Sequence, residues 1–511
     1  MLASENDTLR GGKVGGVGDV LRDLPRALAS RGWRSTVIVP SYGFLHRDNA
    51  ATLRGTVSFP FAGKEEQAEV WDATPGTERE GVTILVVHHG GIGGEPIYYN
   101  DPSKEAFSRD AAKYALFCSA AGQYCREIAG EYRLHLHDWH TGILFLLREV
   151  HPRFAHLKGV KTAFTIHNLA IQGTRPITGP GSTVEQWFPE LFPGASWIPS
   201  WRDPRYDEIC FTPMAAGIRC ADHVNTVSPG YAAEILLPSD HAKGFYGGEG
   251  LEGLLGEVSR GDGLSGILNG TEYADAGAEP RLSFDSLCTL MAEEVALWNS
   301  RHPDPLHSLA LGRIEALRSR PPSVVLTSIT RVVEQKIRLL FERGTGGKPA
   351  VEEIIALLED RDGLYIIQGS GIAEYEAILE SLFRNSGRLL FLKGYSERLA
   401  RALFRNGSLF LMPSSFEPCG IGQMVAMREH QPCLVHAVGG LKDTVLDGVN
   451  GFTFAGDTLT SQADGFAAAV HRALALFFES PNQWQEVTAA AGAARFTWEK
   501  AARQYTERVY R

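Results

Sequence analysis

The sequence predicts an α/β protein with two parallel-sheet domains. Its 511 residues exceed what one hydrophobic core usually supports, so two domains are expected. In both halves, short apolar runs typical of buried strands alternate with segments of helical spacing, and this alternation favours parallel sheets. Several of these runs end in loops with glycine or polar side chains, at the strand ends where open α/β sheets bind ligands.

The composition is that of an ordinary globular protein, with 44% hydrophobic and 22% charged residues. A net charge of −10 and a pI of about 5.9 argue against general binding to nucleic acid or to anionic membranes. The seven cysteines are an odd number without paired metal spacing, which favours a reduced, cytoplasmic compartment over a disulfide framework. We expect no membrane span and no secretory leader, because no apolar run reaches spanning length.

The strand-like runs are short in both halves. In the first half they are expected at residues 36–39, 84–87 and 161–166, with strand-and-turn segments at 224–229 and 266–272. In the second half they are expected at residues 324–328, 365–367, 389–392, 409–412, 434–437 and 452–454. Residues 275–320 have helical pieces and little strand character, so we interpret them as the connection between the two domains.

A glycine-rich loop opens the first helical pattern. Gly15, Gly16 and Gly18 would let the backbone approach a phosphate or a sugar closely, and Lys13 adds a positive charge beside them. Asp19 is placed to cap the helix that follows. A flexible loop without a ligand is the alternative interpretation.

The strand that should precede this loop is nearly missing, since only the first five residues are available and the next five are polar. A parallel strand buried on both faces is normally a longer apolar run. Each buried apolar side chain that is lost costs roughly 1.5–3 kcal/mol, a large share of a typical folding margin. We therefore expect either a natural start further upstream or a first domain that is the less stable half.

Polar residues follow two further strand-like runs of the first half. Residues 135–142 contain three histidines with Asp138 and Trp139, and the run ending at residue 166 is followed by His167 and Asn168. A metal site is one interpretation of the histidines, but their spacing does not place them on one face. A sugar-facing loop with a stacking Trp139 is favoured, and a strand-end His167 bonded to backbone is the alternative.

The segment 409–445 shows the strongest chemical pattern. An apolar run ends in a Pro/Ser turn that delivers one carboxylate, Glu417, and a new helical pattern opens near Gly420. A carboxylate beside the free N–H groups of a helix start suits a site that holds a sugar and a phosphate together. An ordinary strand-to-helix turn with a capping glutamate is the alternative.

Two other stretches of the second half follow strand ends. Arg331 and Lys336 are two cations placed to clamp a diphosphate, although a single pair of surface charges is commonly just solvated. Gly369 and Gly371 follow the next strand-like run and give room for a nucleoside or a phosphate.

Taken together, these stretches resemble bacterial glycogen synthase and plant starch synthase, the ADP-glucose glucosyltransferases. Nine motifs occur in the family's order over almost the whole chain. They are Lys-x-Gly-Gly-x-Gly-Asp-Val (13–20), His-Asp-Trp-His-x-Gly (137–142), Ile-His-Asn-x-x-x-Gln-Gly (166–173), Thr-Val-Ser-Pro (226–229), Leu-Asn-Gly (268–270), Arg-x-x-x-Gln-Lys (331–336), Phe-Glu-Pro-Cys-Gly (416–420), Gly-Gly-Leu-x-Asp-Thr (439–444) and Phe-Thr-Trp (496–498).

The resemblance implies a GT-B fold, in which two Rossmann-like domains face each other across a cleft. It implies an N-terminal domain at residues 1–274, a connection at 275–320, a nucleotide-sugar domain at 321–480, and C-terminal helices at 481–511 that cross back. The implied activity is the retaining transfer of glucose from ADP-glucose to the non-reducing end of an α-1,4-glucan such as glycogen. It implies no required metal and no cofactor.

The resemblance also implies roles for single residues by motif match. The cations on the diphosphate would be Lys13, Arg331 and Lys336. The polar side chains that face the transferred glucose or the acceptor would be Asp138, His167, Asn168 and Asn269. Glucose hydroxyls would bind to Glu417, and glucose and phosphate would contact the backbone at Cys419, Gly420 and Ile421. Adenine would be flanked by Tyr395, and Tyr99 would reach the donor or the acceptor. The catalytic set is then Lys13, His167, Arg331, Lys336 and Glu417.

The chain departs from the family pattern at several positions. Gly422 stands where the family usually has Thr or Ser, which removes a hydroxyl that would face phosphate. Val425 stands where many retaining GT-B enzymes have a second glutamate, so front-face displacement is favoured over a two-carboxylate mechanism. We expect activity, because every charged residue of the implied site is retained.

Three alternatives remain at this point. The first is a related transferase that uses UDP-glucose or another nucleotide sugar. The second is an inactive glucan-binding scaffold, against which the retained charged residues argue. The third is a nicotinamide dehydrogenase, suggested by the glycine loop alone; it is disfavoured because the expected acidic residue at the end of a second strand is replaced by Pro40. The motifs predict no particular oligomeric state.

Overall fold

The computed structural model describes residues 1–76, 81–94, 96–99, 104–273 and 280–511. The chain forms two compact units. The first unit comprises Met1–Pro238, Gly247–Asn269 and Trp498–Arg511, and the second unit comprises Ser239–Tyr246 and Gly270–Thr497. The domain boundaries given above stay predictions.

The first unit is built on a largely parallel sheet. Its strands are β1 (Ser35–Pro40), β2 (Thr52–Phe61), β3 (Lys64–Asp72), β4 (Val82–His88), β5 (Leu134–His137), β6 (Thr162–Ile166), β7 (Arg175–Pro176), β8 (Cys210–Phe211), β9 (His223–Thr226) and β10 (Leu264–Gly266). One half of the sheet has the order β1-β4-β3-β2 and the other has the order β10-β9-β6-β5, while β7 and β8 form a separate pair. The strands expected at residues 36–39, 84–87, 161–166 and 224–229 are present, whereas the strand expected within 266–272 lies earlier, as β10, and residues 267–272 are outside it. The antiparallel hairpin of β2 and β3 was not predicted from the sequence.

The short N-terminal segment joins the two halves of this sheet. Leu2 forms parallel bridges with both Ile38 of β1 and Leu136 of β5. Its N–H donates to the carbonyl of His135 at 2.9 Å, and its carbonyl accepts from His137 N at 3.1 Å. The side chain of Leu2 is only 1% exposed. These few residues therefore occupy the central strand position for which the sequence provides only a short segment.

Helices cover the sheet of the first unit. They are α1 (Gly16–Ala29), α2 (Leu45–Asp48), α3 (Lys104–Tyr124), α4 (Trp139–Val150), α5 (Val184–Trp187), α6 (Ile198–Trp201), α7 (Pro213–Cys220), α8 (Pro229–Glu234) and α9 (Glu252–Arg260). Four of them begin where the sequence supplies a helix-start signal: α6, α7 and α8 have proline in the first turn, and Thr183 caps α5. Short 3₁₀ turns lie at Cys125–Glu127, Pro152–Leu157, Pro189–Leu191 and, in the second unit, His241–Lys243.

The second unit has a six-stranded, fully parallel sheet. Its strands are β11 (Val324–Ile329), β12 (Gly363–Gly369), β13 (Leu389–Lys393), β14 (Leu409–Met412), β15 (Cys433–His436) and β16 (Gly451–Phe454). The strand order is β13-β12-β11-β14-β15-β16. All six predicted strands are present within two residues of their predicted ends. Because the order reverses between β11 and β14, the connections on either side diverge and leave a crevice at the carboxyl ends of these two strands.

The helices of the second unit are α10 (Phe284–Arg301), α11 (Pro305–Ser319), α12 (Glu334–Phe341), α13 (Ala350–Asp360), α14 (Ala373–Asn385), α15 (Glu397–Asn406), α16 (Gly422–Arg428), α17 (Gly439–Thr444), α18 (Leu459–Glu479) and α19 (Pro481–Ala493). The segment interpreted from the sequence as a connection contains α10 and α11. Their side chains Leu287, Trp298 and Ile314 pack into the same hydrophobic core as strands β11 to β14. This segment is therefore part of the second unit's core.

The last residues of the chain belong to the first unit. Helix α20 (Trp498–Gln504) packs on α1, and a π-helical turn at Tyr505–Val509 follows it. Tyr510 Oη lies 2.7 Å from Nδ1 of His135, and Asn225 Nδ2 donates to Tyr505 Oη at 3.0 Å. Within the described ranges, none of the helices combines the length and apolar character that a bilayer span requires.

Candidate functional site

In the second unit, a cavity of about 180 Å³ lies at the crevice between β11 and β14. It is lined by the ends of both strands and by the loops that follow them. Ligands of open α/β sheets bind at such a reversal of strand order. The polar side chains of its lining include Ser328, Arg331, Lys336, Ser414 and Glu417. Three predicted charged site residues, Arg331, Lys336 and Glu417, are therefore brought together by the fold of this unit alone.

Lys336 and Glu417 form an ion pair in the lining of this cavity. Lys336 lies in the first turn of α12, and Glu417 lies in the loop between β14 and α16. The Oε2 atom of Glu417 also accepts a hydrogen bond of 3.1 Å from Ser414 Oγ. The two charged side chains are only 16% and 9% exposed. Each therefore neutralises the other at a position largely removed from water, a contact that the sequence did not predict.

Gln335 attaches the Glu417 loop to α12. The backbone N–H of Ser415 donates to the Gln335 carbonyl at 2.8 Å. In the other direction, Gln335 Nε2 donates to the carbonyl of Phe416 at 3.0 Å. These two bonds fix the loop that carries Glu417 against the helix that carries Lys336. Sequence reasoning noted Gln335 only as a motif match and missed this positioning function.

Arg331 lines the same cavity from the loop after β11. Its side chain is exposed and makes no hydrogen bond or ion pair with the described residues. A guanidinium in this state keeps all its donors for an anionic ligand, and its planar fork matches the oxygens of a phosphate.

Gly369 and Gly371 have a steric role within the protein. A Cβ atom on Gly369 would lie 1.8 Å from the Thr330 carbonyl oxygen, and one on Gly371 would lie 2.3 Å from that of Val332. Val332 and Gly371 also form a parallel bridge. The close approach of the two backbones is thus what requires glycine here, and the ligand-binding function of these glycines stays a prediction.

The loop that holds Glu417 is also supported by α17. The N–H of Gly440 donates to the Glu417 carbonyl at 3.1 Å. A Cβ on Gly439 would lie 2.0 Å from that same oxygen, and a Cβ on Gly440 would lie 2.3 Å from the Cys419 carbonyl oxygen. The Gly-Gly pair is therefore needed for α17 to approach the loop.

Three predicted backbone contacts lie between this loop and the next helix. Helix α16 begins at Gly422, two residues after the predicted start near Gly420, whose φ of +77° favours glycine. Cys419 is buried, and Ile421 lines the cavity. Ile421 and Gly422 therefore adjoin the cavity, and the ligand contacts expected of the backbone at Cys419, Gly420 and Ile421 stay predictions.

Tyr395 follows β13 and is 64% exposed. The preceding Gly394 has a φ of +156°, and a Cβ there would lie 2.6 Å from the indole of Trp298. Glycine is thus required for the turn that presents Tyr395 at the surface. An exposed aromatic face is suited to stacking on a planar ring.

In the first unit, the glycine loop is attached to Glu5. The N–H groups of Val14 and Gly15 both donate to Glu5 Oε2 at 2.6 Å, and Tyr98 Oη donates to Oε1 at 2.6 Å. Glu5 is 1% exposed. Two N–H groups of the loop that the sequence predicts for a ligand are therefore bonded to a protein carboxylate, and sequence reasoning missed Glu5.

Lys13 and Asp19 form an ion pair beside this loop, with Lys13 Nζ 2.6 Å from Asp19 Oδ1 and 3.4 Å from Asp7 Oδ2. The N-cap of α1 is Gly15, and Asp19 lies inside the first turn of the helix. The prediction that Asp19 caps this helix is therefore wrong. Gly16 and Gly18 both lie in that turn. Burial raises the pKa of Asp19, and the attraction to Lys13 opposes this rise.

Asp138 connects the carboxyl ends of β5 and β6. Its Oδ1 accepts hydrogen bonds from the backbone N–H of His167 at 2.7 Å and of Asn168 at 3.4 Å. Asp138 itself has a φ of +56° and a ψ of −179°, a backbone conformation that residues other than glycine rarely adopt. Burial raises the pKa of Asp138 to about 7, although the two backbone donors oppose this rise.

The side chain of His167 contacts a second histidine. Nε2 of His167 lies 2.9 Å from Nδ1 of His137. Burial lowers the pKa of His167 to about 3 and lowers the pKa of His137 well below its ordinary value. Both imidazoles are therefore neutral near pH 7. Within the described part of the chain, no group of three or more His, Cys, Asp or Glu side chains has an arrangement suited to a metal ion.

The remaining predicted residues of the first unit lie in different surroundings. Trp139 is 6% exposed, and its ring packs edge-to-face on Tyr114 at 5.5 Å, so it is a core side chain and presents no open face to a sugar. Tyr99 is half-buried, with the Arg109 guanidinium 5.7 Å from its ring centre. Asn269 is 4% exposed, and its Oδ1 has no hydrogen-bond partner among the described residues.

Two protein-family models match the chain. The model described as "Starch synthase catalytic domain" matches residues 1–257. The model described as "Glycosyl transferases group 1" matches residues 314–475. Between them they cover most of both units.

Curated relatives match over nearly the full length. A glycogen synthase from Anaeromyxobacter dehalogenans (strain 2CP-1) is 33% identical over 511 residues, which covers 98% of this chain and 96% of the relative. A glycogen synthase from Bacillus cereus (strain Q1) is 28% identical over 505 residues, which covers 96% of this chain and 95% of the relative.

Solved structures share the fold. The catalytic domain of starch synthase IV from Arabidopsis thaliana, bound to ADP and acarbose, matches with a TM-score of 0.74 at 24% identity, covering 99% of this chain and 97% of that chain. Sucrose-phosphate synthase from Thermosynechococcus elongatus matches with a TM-score of 0.53 at 16% identity, covering 97% and 93%. The predicted fold class, GT-B with two Rossmann-like domains, is thereby confirmed.

Proposed function

Because the chain belongs to the glycogen and starch synthase family of glycosyltransferases, we propose that it transfers glucose from ADP-glucose to the non-reducing end of an α-1,4-glucan, with retention at the anomeric carbon. The observation that carries this proposal is the cavity of the second unit, where Arg331, Lys336 and Glu417 converge. Two cations and one carboxylate around one cavity suit a ligand that brings a diphosphate and sugar hydroxyls together.

Donor binding exchanges the partners of the Lys336–Glu417 ion pair. The diphosphate accepts from Arg331, which has no protein partner among the described residues, and competes with Glu417 for Lys336. The carboxylate of Glu417 is then released to accept hydrogen bonds from glucose hydroxyls, while Ser414 keeps it oriented. The exposed ring of Tyr395 stacks on the adenine.

The transfer proceeds on one face of the sugar. The bond from the anomeric carbon to the β-phosphate oxygen breaks, and its electron pair stays on that oxygen. The acceptor hydroxyl oxygen bonds to the anomeric carbon on the same face, and its proton passes to the departing phosphate. Lys336 and Arg331 stabilise the negative charge as it develops on the leaving group. Val425 of α16, which is partly buried against a hydrophobic core cluster, supplies no second carboxylate, and this supports the same-face course over a double displacement.

In the first unit, we propose that His167 and Asn168 bind hydroxyls of the transferred glucose or of the glucan. Both follow β6, where Asp138 fixes their backbone. The proposed compartment is the cytoplasm, because the seven cysteines form no disulfide in the described structure and disulfides are rare in a reducing compartment.

The test is incubation of the purified chain with radiolabelled ADP-glucose and glycogen. Glucan-bound label that α-1,4-specific exo-digestion releases, accompanied by one ADP per glucose, is the expected result. A parallel reaction with UDP-glucose at equal concentration decides the donor. Absence of transfer from either donor would reject the proposal, and faster transfer from UDP-glucose would correct it to a related transferase.

A further inference from the structure

The contact between His137 and His167 determines more than the position of the two rings. Their nitrogens are 2.9 Å apart, and both imidazoles are neutral, so one nitrogen must donate its proton and the other must accept it. Each neutral imidazole carries a single N–H. The choice of donor in this bond therefore decides which nitrogen of each ring carries hydrogen.

The second nitrogen of His137 makes the two arrangements unequal. His137 is 1% exposed, and its Nε2 atom is buried without a hydrogen-bond partner among the described residues. If His167 donated, His137 would carry its proton on Nε2 as a buried N–H without an acceptor, which folded proteins rarely contain. If His137 donates from Nδ1, its Nε2 carries no hydrogen and leaves only a lone pair without a donor. A buried acceptor without a donor costs less than a buried N–H without an acceptor.

The neighbouring His135 holds the His137 ring in this orientation. The two ring centres lie 4.1 Å apart. Both nitrogens of His135 are engaged, Nδ1 with Tyr510 Oη at 2.7 Å and Nε2 with Thr165 Oγ1 at 2.6 Å. Because His135 is fixed from both sides, the His137 ring that packs against it has little freedom to turn its Nδ1 away from His167.

We propose that His137 is a positioning residue that fixes the tautomer of His167, so that His167 presents Nδ1–H as a hydrogen-bond donor to a substrate hydroxyl oxygen. Nδ1 of His167 has no hydrogen-bond partner among the described residues, and this atom is not fully buried. It is therefore accessible to a ligand. His167 then acts as a donor and not as a proton acceptor. This inference rests on the proposed function, in which His167 binds a sugar hydroxyl.

The test combines one spectroscopic and one kinetic measurement on the full chain. Long-range ¹H–¹⁵N correlation of histidine-labelled protein reports which ring nitrogen is protonated, with His167 assigned by its loss in His167→Asn. We expect a protonated Nδ1 and a bare Nε2 in the wild type. A protonated Nε2 on His167 would overturn the proposal outright. This measurement needs no turnover, so it stands even where the proposed function fails for lack of glucose transfer.

The kinetic arm uses His137→Phe and His137→Asn. Phenylalanine keeps a ring but removes the donor, and we expect kcat to fall at least about tenfold, since a wrong tautomer disables a catalytic histidine. Asparagine carries an N–H at the same number of bonds from the backbone as Nδ1, and we expect it to restore most of kcat and the Nδ1–H signal of His167. Unchanged kcat in folded His137→Phe, or no rescue by asparagine, would contradict the proposal. Where His137→Phe does not fold, the asparagine variant and the wild-type spectrum decide.

A matched control is His88→Phe. His88 is also a histidine with a buried unpaired Nδ1, and its ring stacks on His46 at 4.4 Å in the same unit. It does not contact His167. We expect this variant to leave kcat and the His167 signal unchanged, whatever it does to the melting temperature. A comparable loss of kcat in the control would show that the effect of His137→Phe is general destabilisation.

Discussion

The ion pair between Lys336 and Glu417 allows its structural and its catalytic contribution to be separated. We predict that Lys336→Met and Glu417→Gln each lower kcat with ADP-glucose and glycogen by at least about a hundredfold. This loss corresponds to about 2.7 kcal/mol of transition-state stabilisation, which is the usual effect of removing one preorganised charge or donor.

The same single substitutions also leave one charge without its partner. For a fully buried pair this costs roughly 3–5 kcal/mol. Here the two side chains keep 16% and 9% of their exposure and face a cavity, so we expect a smaller loss of about 1–3 kcal/mol and a lower melting temperature. The double variant removes both charges and should melt closer to the wild type than either single variant.

Activity and stability are therefore predicted to change independently in the double variant. Its melting temperature should recover, while its kcat should stay at least about a hundredfold low. Initial rates and thermal melts of the four proteins provide the measurement. Lys348→Met, an exposed lysine of the same unit, is the control and should change neither quantity. Recovery of both kcat and melting temperature in the double variant would show that the pair is only a structural brace.

Three further predictions test other parts of the two units. Gly371→Ala places a Cβ 2.3 Å from the Val332 oxygen and should lower the stability of the fold by about 1–3 kcal/mol. Gly312→Ala, with open space in α11, should raise stability by about 0.5–1 kcal/mol. Thermal melts of the two variants measure both effects. Tyr395→Ala should raise KM for ADP-glucose about three- to tenfold by loss of stacking, with kcat nearly unchanged; an unchanged KM would remove Tyr395 from the site. The pKa of Asp138 is raised from 3.8 to about 7 in the folded state, so the unfolded state releases this proton first as pH increases. The stability of the wild type relative to Asp138→Asn should therefore fall between pH 4 and 7. Denaturation at several pH values measures this difference, and a difference that stays constant would contradict the raised pKa.

The strands of the second unit could be predicted because each is buried on both faces, and its sequence is therefore a short continuous apolar run. The hairpin of β2 and β3 lacks that signal. Most residues of β2 are exposed, and β3 is rich in Lys, Glu and Gln. Neither segment therefore has the continuous apolar run that predicts a core strand. Its turn, with Ala62 and Gly63 both at positive φ, is the two-residue type that closes hairpins. Ala-Gly is a weaker sequence signal for that turn than Asn-Gly.

The site could be predicted as a set of residues but not as a set of contacts. Motif match selected Lys336 and Glu417 and gave each a ligand, while the fold pairs them with one another. The position of Gly371 after a strand-like run suggested a ligand, while the backbone of Val332 requires that glycine. Composition and spacing carry no information on such contacts, because they depend on how distant segments approach each other in three dimensions.

Both units place a glutamate after the central strand of their sheet, and the partners of the two carboxylates distinguish their functions. Glu5 accepts from two backbone N–H groups and from Tyr98. The amides belong to a loop that would have to unfold to release the carboxylate, so this contact stabilises the loop. Glu417 is neutralised by a lysine side chain at the end of a flexible stem, which can turn to a phosphate without any backbone movement. A ligand can exchange with the second carboxylate at low cost but not with the first. A carboxylate in such a loop therefore becomes available to a substrate when its counter-ion is a mobile side chain, and for this reason we assign the donor sugar to Glu417 and a structural function to Glu5.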